Sequence, residues 1–381
     1  MGEMFPLPVE LNIPEVLAAI FIFLISAQLW IYIGYYRRLA FLKPGNVSND
    51  LPPVSIVICA KNEEKFIPLN LPLILDQDYP EYEVVVVNDC SWDNTSEVLK
   101  EFSGKYKNLK IVTIKEDEHF AHGKKFALMV GIKGAKYEHL LLTDADCKPV
   151  GRDWVKKMMT AFSPGIEIVL GYSPYNGEKG FLNKLIRLDA FFIAVQYLSL
   201  AISNKTYMGV GRNLAYTKSL FFRNRGFASH HHISSGDDDL FVNQASNRAN
   251  VAICADSTAF AYSSPKTDFK EWFRQKRRHL TTTLYYRTSH QALLIILSGI
   301  PYLLHVWLLL LALFAGKYIF WALFLFVLKL LIQFIIFQAL CKRMNVKDLL
   351  LILPFLEIIL LFIYPAFVIA NLFFKKSPWK M

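Results

Sequence analysis

The sequence predicts an α/β domain with an open, mostly parallel sheet, joined to apolar membrane segments on both sides. Two observations in the 381-residue chain carry this prediction. Between residues 54 and 146, apolar runs rich in β-branched residues alternate with helix-like segments, as in a parallel sheet covered on both faces. Long apolar runs with almost no acidic residues occupy 11–36 and 291–374. About 20 consecutive apolar residues span a bilayer.

The overall composition agrees with this division. Apolar residues make up 54% of the chain and charged residues only 19%, against about 25% charged residues in average soluble domains. An all-soluble protein and a disordered chain are therefore excluded. The net charge of +10 fits a positive membrane face and also an anionic substrate. No partner nucleic acid is expected, because no basic patch interleaved with aromatic residues is present.

The cysteines indicate a reducing compartment. They are odd in number, dispersed and without a CxxC pair, which disfavours a disulfide framework or a zinc site: Cys59, Cys90, Cys147, Cys254 and Cys341. Reduced thiols in a domain facing the cytosol fit this pattern.

The first apolar run predicts an uncleaved N-terminal transmembrane anchor over residues 1–43. A signal peptide would place its basic residues before the apolar run, whereas Arg37 and Arg38 follow it. The positive-inside rule then places the N-terminus outside and the following chain in the cytoplasm. A proline-flanked linker is predicted at 44–53.

The region 291–381 is predicted to cross the membrane three times. Its apolar runs give spans at about 291–315, 318–340 and 349–374. The first two spans leave the basic loop 341–348 inside, as the charge rule requires. The third would leave three lysines outside, against the rule: Lys375, Lys376 and Lys380. Because Pro354, Glu357 and Pro365 interrupt that span, a re-entrant hairpin is the alternative.

The domain between these segments is predicted at 54–265, and its elements follow in order. The strands are expected at 54–60, 83–89, 109–114 and 139–146, and the helices near 63–75, 94–103 and 123–134. A further apolar segment at 179–203 predicts either a core helix or a helix at the membrane surface.

Polar residues follow three of these strands where each one ends. The first strand runs into Asn62 and Glu63, the second ends in Asp89, and the fourth ends in Asp144 and Asp146. Ligands bind beyond the carboxyl ends of such strands, and acidic side chains avoid a core unless they are paired. Turn capping explains any one of these strand ends, but convergence of three at one edge predicts a ligand site.

Two features, a pair of aspartates at a strand end and a lysine at a helix start, suggest binding of a charged ligand. Asp144 and Asp146 leave the strand two residues apart, where their carboxylates can share a hard cation such as Mg²⁺ or Mn²⁺. Lys124 follows Gly123 at a helix start, where amide donors, the helix dipole and an ammonium suit a phosphate. A solvated helix start is the alternative for the lysine.

Two later segments add acidic and basic groups. Residues 236–239 read Gly-Asp-Asp-Asp, and adjacent carboxylates repel one another unless one is protonated or paired. They predict a general base or simply a helix N-terminus. The segment 266–290 is predicted as an interfacial helix, and its cations are also suited to a diphosphate.

Together these motifs resemble the membrane-bound, inverting family 2 glycosyltransferases, which have a GT-A nucleotide-sugar-binding core. Ceramide glucosyltransferase, hyaluronan synthase and cellulose synthase are members. Seven motifs over about residues 54–280 carry the resemblance in family order: Asn62-Glu63, Asp89 with Asp93 and Thr95, Gly123-Lys124 with Ala127-Leu128, Asp144 with Asp146, Gly209, Gly211 and Asn213, the 236–239 cluster, and Gln275 to His279.

The resemblance implies a role for each position. The metal ligands would be Asp144 and Asp146, with Mg²⁺ or Mn²⁺. The donor-binding residues would be Asn62, Glu63, Asp89, Lys124, Asp144, Gln275, Arg277 and Arg278. The acceptor side would be formed by Gly209, Gly211, Asn213 and His279. The base would be Asp238 in one alignment of the motif and Asp237 in another.

The resemblance also implies an activity. It predicts transfer of a sugar from a nucleotide-diphosphate donor, UDP-linked by preference, to a lipid-type or glycan acceptor, in a protein of the cell (inner) membrane with a cytoplasmic catalytic domain. Since only three C-terminal spans are available, a lipid-type acceptor is favoured over a polymer channel. A processive polysaccharide synthase and a catalytically silent sugar-nucleotide-binding subunit remain alternatives. His279 stands where the family has tryptophan, which leaves the acceptor open.

Overall fold

The computed structural model describes residues 12–43, 51–115, 123–233 and 235–373. Most of the predicted linker at 44–53 therefore lies outside the described residues, as do the lysines that follow the last apolar span. The strands are β1 Val54–Ala60, β2 Tyr82–Asp89, β3 Leu109–Ile114, β4 His139–Asp144, β5 Cys147–Pro149, β6 Ile168–Leu170, β7 Leu214–Thr217, β8 Val251–Ile253 and β9 Ala261–Ser263.

The helices fall into short ones around the sheet and long apolar ones. They are α1 Ile13–Ile31, α2 Arg37–Ala40, α3 Ile67–Leu75, α4 Thr95–Lys105, α5 Lys124–Gly134, α6 Trp154–Met159, α7 Phe181–Ile202, α8 Lys218–Arg223, α9 Asp239–Ala245, α10 Phe269–Thr282, α11 Thr288–Phe314, α12 Ile319–Arg343 and α13 Leu353–Phe373.

The predicted sheet is confirmed. Seven strands lie in the order β3-β2-β1-β4-β7-β6-β8. The first four are parallel to one another, β7 runs antiparallel to β4 and β6, and β8 is parallel to β6. The apolar runs form these strands because helices cover both faces and bury them.

The register brings the predicted polar strand ends to one edge. Ala60 of β1 pairs with Asn88 of β2, and Cys59 pairs with Asp144 of β4. β1 therefore has β2 on one side and β4 on the other, and the chain order reverses between them. Open α/β sheets bind their ligands at such a reversal.

Helix α5 packs very close to the face of the sheet formed by β1 and β2. A Cβ atom added at Gly131 would lie 2.7 Å from Val57 Cγ1 and 2.8 Å from Val87 Cγ2. Only glycine therefore allows the helix to pack directly on β1 and β2. This close packing fixes the first residue of the helix, Lys124, beside the strand ends.

Five helices in the described chain are long and apolar enough to cross a membrane, one more than the sequence predicted. Three of them, α1, α11 and α12, pack together. Phe21, Leu304 and Ala322 share one apolar cluster, and Trp307 Nε1 donates to the carbonyl of Leu17 at 3.2 Å. The extra helix is α7, in which 72% of the most apolar window is buried inside the protein. It is therefore a core helix, one of the two predicted alternatives.

The last apolar segment forms one continuous helix, α13, with Pro365 inside it. A re-entrant hairpin is therefore not formed. Its acidic residue is paired, since Gln333 Nε2 of α12 donates to Glu357 Oε2 at 2.7 Å. One helical turn away, Lys329 is 1% exposed and lies over the rings of Tyr32 and Phe326 at 5.6 and 5.4 Å. Lys329 is therefore buried between helices, and Glu357 is half-buried.

Candidate active site

The start of α9 carries three adjacent aspartates, and the middle one is held by two backbone amides. Gly211 N–H donates to Asp238 Oδ2 at 2.7 Å, and Asp239 N–H donates to Asp238 Oδ1 at 2.8 Å. A Cβ atom at Gly211 would lie only 3.3 Å from Asp238 Cβ. The glycine therefore permits the close approach that positions this carboxylate.

The two flanking aspartates are engaged differently. Asp237 Oδ2 lies 3.1 Å from Lys124 Nζ, and Asp239 Oδ2 accepts from Tyr286 OH at 2.8 Å and from Thr282 Oγ1. Both of these carboxylates are buried, whereas Asp238 is half-buried. Of the three, only Asp238 lacks a side-chain partner in the described structure and keeps access to a substrate.

The environment of Asp238 suits a proton acceptor. Burial, and then the charges of Asp237 and Asp239, raise the pKa of Asp238 to about 7. Lys124 and the amide of Gly211 act in the opposite direction. A general base works best when its pKa lies near the working pH, so this carboxylate has the protonation behaviour that the predicted base requires.

Lys124 connects the end of β4 with the start of α9. Its Nζ lies 2.9 Å from Asp144 Oδ1 as well as 3.1 Å from Asp237 Oδ2. Burial acts to raise the pKa of Asp144, but Lys124, Arg212 and Arg278 more than offset it and hold this pKa below its usual range. Asp144 is therefore ionised.

Asp146 is the second carboxylate at this strand end. Its Oδ2 accepts from Ser263 Oγ at 3.1 Å. Burial and then the charge of Asp144 raise the pKa of Asp146, so the two carboxylates repel each other across a buried space. A divalent cation would relieve this repulsion, and the donor set fits Mg²⁺ or Mn²⁺. Within the described ranges, no group of three or more His, Cys, Asp or Glu side chains is placed to hold a metal ion.

The loop after β1 is fastened to the loop after β2. Asn62 has a left-handed backbone, with φ of 58°. Its N–H donates to Ser91 Oγ at 3.0 Å, its Oδ1 accepts from Trp92 N–H at 3.0 Å, and Glu63 N–H donates to Thr95 Oγ1 at 2.9 Å. Asn62 and Thr95 thus fix the loop that carries Glu63.

Asp89, at the end of β2, has no protein partner in the described structure. The residue is 0% exposed, and neither carboxylate oxygen accepts a hydrogen bond from a described group. Buried carboxylates are normally paired. The two carboxylate oxygens of Asp89 at this edge are therefore suited to accept hydrogen bonds from the N–H or O–H donors of a ligand.

Helix α10 brings one of its two candidate arginines to this cluster. Arg278 acts on the pKa of Asp144, and its buried Nε has no partner among the described residues. Arg277 instead donates from Nε to Asn371 Oδ1 of α13 at 2.9 Å. On the same helix, Gln275 is half-buried and His279 is exposed.

The two remaining acceptor-side candidates belong to the scaffold. Asn213 is 0% exposed. Its Oδ1 accepts from Trp154 Nε1 at 3.0 Å, and its Nδ2 donates to the carbonyls of Tyr172 and Ala259 at 2.9 and 2.8 Å. Gly209 is equally confined, because a Cβ atom there would lie 3.0 Å from a Leu170 methyl group.

Sequence reasoning missed Arg212, which lies between Gly211 and Asn213. Its guanidinium lies 4.3 Å from the centre of the Tyr175 ring, and its charge acts on the pKa values of both Asp144 and Asp146. Its Nη1 is buried without a described partner. The sequence feature that could have identified it is a single cation within the segment 208–214, whose other residues are mostly small or apolar.

A lysine bound to two carboxylates, two free arginine nitrogens and a carboxylate with a raised pKa therefore meet at the ligand-binding edge of an α/β sheet. The sheet and the helices around it have the GT-A fold of glycosyltransferases. The chain matches the sequence profile of glycosyl transferase family 21 over residues 15–376 and belongs to that family.

Individual relatives match only part of the chain. The chain is 32% identical over 199 residues to glycosyltransferase AglE of Haloferax volcanii, a match that covers 50% of this chain and 60% of the relative. It is 30% identical over 139 residues to a poly-beta-1,6-N-acetyl-D-glucosamine synthase of Staphylococcus epidermidis, covering 36% of this chain and 31% of that synthase. The chain thus matches less than two thirds of the length of these relatives.

A solved structure has the same fold over nearly the whole chain. It is the mannosyltransferase PcManGT of Pyrobaculum calidifontis, in complex with GDP-Man and Mn²⁺. The TM-score is 0.58 at 19% identity, with 94% of this chain and 99% of that chain covered.

Proposed function

We propose that this protein transfers a sugar from a nucleotide-diphosphate sugar, UDP-linked by preference, to a lipid-type acceptor by a metal-dependent, inverting single displacement. The observation that carries the proposal is the position of the base. Asp239, the next residue after Asp238, accepts hydrogen bonds from Thr282 and Tyr286. Helix α11 begins two residues after Tyr286, at Thr288. The base therefore lies beside the segment that enters the membrane, where a lipid acceptor arrives.

The donor would occupy the carboxyl edge of the sheet. The free carboxylate oxygens of Asp89 and the loop that presents Glu63 would take the nucleoside. Lys124, Arg278 and Gln275 would bind the diphosphate, the arginine and the lysine by charge-assisted hydrogen bonds. Arg212, which faces Asp144 and Asp146, would add a further positive charge on the acceptor side.

A divalent cation, held by Asp144 and Asp146, would neutralise charge on the departing diphosphate. The mannosyltransferase of similar fold was solved with Mn²⁺, which supports this requirement. Lys124 already balances Asp144 and Asp237 in the described structure. Its ammonium would move onto the diphosphate when donor and metal bind.

Asp238 would accept the proton of the acceptor hydroxyl. The hydroxyl oxygen then forms the new bond to the anomeric carbon as the bond from that carbon to the diphosphate oxygen breaks on the opposite face. One displacement with one base inverts the anomeric configuration. The two amide donors to Asp238 hold its carboxylate in place for this attack.

Product analysis tests the acceptor. The protein in lipid nanodiscs is incubated with radiolabelled UDP-sugars or GDP-mannose, a divalent metal and a membrane lipid extract. Label is expected in the lipid-soluble fraction, attached with inverted configuration. Label found only in a long water-soluble polymer would refute the lipid acceptor and support a processive synthase, the activity named for the staphylococcal relative. Metal-dependent donor binding without any transfer would support a silent subunit.

A further inference from the structure

The segment just before α13 and the last turns of α13 both contact the sheet domain, which is the seven-stranded sheet with the helices packed on it, α7 and α10 among them. Just before the helix begins, Asp348 accepts from the two terminal nitrogens of Arg187, in α7, at 2.6 and 2.8 Å. Near the end of the helix, Asn371 Oδ1 accepts from Arg277 Nε of α10 at 2.9 Å. Asn371 Nδ2 donates back to the Arg277 carbonyl at 3.2 Å.

The middle of α13 contacts the same two helices. Tyr364 OH donates to Asp189 Oδ1 of α7. The ring of Phe367 lies 5.5 Å from the Trp272 ring and 4.9 Å from the Phe273 ring, both in α10. Contacts with α7 and α10 therefore occupy the second half of the helix, from Tyr364 to Asn371.

This contact pattern does not fit a helix that crosses the bilayer. With 21 residues, α13 is about 31 Å long at 1.5 Å per residue, which is about the thickness of the hydrocarbon core. If it crossed, one of its ends would lie about 30 Å from the domain. Instead, the segment that leads into the helix contacts α7 and the end of the helix contacts α10.

The contacts of α1, α11 and α12 fit a bundle of helices that crosses the membrane. At one end of this bundle, Glu15 of α1 lies 4.0 Å from Lys317, between α11 and α12. At the other end, Arg343 of α12 donates to the carbonyls of Ala40 and Leu42, beside the sheet domain. The two ends are separated by the length of α12, which has 25 residues.

The remaining face of α13 is apolar and exposed. It carries side chains spaced by three, four and seven residues, which places them on one side of a helix: Phe355, Ile358, Phe362, Ile369 and Phe373. Helices α11 and α12 also carry exposed apolar side chains, among them Ile295, Leu309, Phe324 and Ile335. A lipid leaflet is the partner that covers exposed apolar faces of several long helices in one chain.

We infer that α13 lies in the plane of the membrane, within the leaflet on the side of the sheet domain, and does not cross the bilayer. Its apolar face enters the lipid, and its opposite face holds α10, the helix of Arg278. With three crossings instead of four, the end of α13 lies on the same side as Arg37, Arg38 and Arg343, and the sequence that follows it contains Lys375 and Lys376. The charge rule is then satisfied throughout.

Protease protection in sealed, uniformly oriented membrane vesicles tests this topology on the full chain. An epitope placed after Met381 is expected to be digested or protected together with the sheet domain. The matched control has the same epitope inserted after Lys317, and it should behave oppositely to the sheet domain. A C-terminal epitope that shares the fate of the Lys317 epitope would overturn the inference.

A depth measurement separates an in-plane helix from a helix that dips deeply into the bilayer. A fluorinated phenylalanine is introduced in turn at Phe355 and at Phe373, and its NMR signal is broadened by lipids carrying a nitroxide at different depths. An in-plane α13 predicts the strongest broadening at the same shallow depth for both positions. Eighteen residues of crossing helix would separate the two maxima by about 27 Å, which would contradict the inference.

Discussion

Replacing Asp238 by asparagine should remove the proton acceptor while leaving the donor site in place. The amide oxygen of asparagine can still accept from Gly211 N–H, which in the wild type donates to Asp238 Oδ2 at 2.7 Å. Lys124 keeps both of its carboxylates, Asp144 and Asp237. A general base contributes about 10²–10⁴-fold to a rate, or about 3–5 kcal/mol at 1.36 kcal/mol for each factor of ten. Turnover should fall by this factor.

The assay compares nucleotide release with nucleotide binding. Release in the presence of acceptor should fall by about 10²–10⁴-fold, and UDP affinity measured by calorimetry should change little. In the wild type, the base works only when Asp238 is deprotonated, and its pKa is raised to about 7. The rate should therefore rise with pH through neutrality. Wild-type turnover in Asp238→Asn, with loss of turnover in Asp237→Asn, would refute the assignment and identify Asp237 as the base.

The remaining predictions concern the groups around Asp238 and the scaffold. Asp237→Asn removes one of the charges that raise the pKa of Asp238, so the acidic limb of the pH–rate profile should move to lower pH. Gly211→Ala places a methyl group 3.3 Å from Asp238 Cβ and should lower turnover by about tenfold or more with little change in thermal stability. Gly131→Ala overpacks α5 against β1 and should lower the free energy of unfolding by about 1–3 kcal/mol, measured by thermal melting in detergent. Chelation of divalent cations should abolish nucleotide release, and added Mn²⁺ or Mg²⁺ should restore it.

Each of these predictions has an outcome that contradicts it. An unchanged pH profile in Asp237→Asn would show that its charge does not act on the base. Equal loss of stability in Gly211→Ala and Gly131→Ala would make the first glycine a packing residue only. Full activity in the presence of excess chelator would exclude Asp144 and Asp146 as ligands of an essential metal.

The sequence was sufficient to predict the parallel half of the sheet. Strands β1, β2 and β4 are largely apolar on both faces, and this pattern can be recognised from each segment alone. Strands β6 and β8 were not predicted, because each has three residues and shows no periodicity. Helix α3 begins at Ile67, four residues later than expected, because hydrogen bonds to Ser91 and Thr95 hold the preceding residues in a loop.

The candidate site was predictable as a set of motifs but not as a set of contacts. Arg277 and Arg278 are neighbours in the sequence, and successive helix residues point about 100° apart. Which arginine faces Asp144 depends on α13, whose Asn371 binds Arg277. The difference between Asp237 and Asp238 depends in the same way on Lys124 and Gly211, which are distant in the sequence. Composition also cannot separate a crossing helix from one that lies in the membrane plane, which explains the uncertain direction of the last span.

The most direct test of the proposed reaction is nucleotide release from a panel of UDP-sugars and GDP-mannose, measured with and without membrane lipid extract. One donor should be turned over, turnover should require both a divalent metal and the lipid extract, and Asp238→Asn should abolish it. Release that is indifferent to the lipid extract, or that persists at the wild-type rate in Asp238→Asn, would contradict the proposed transfer to a lipid acceptor by this base.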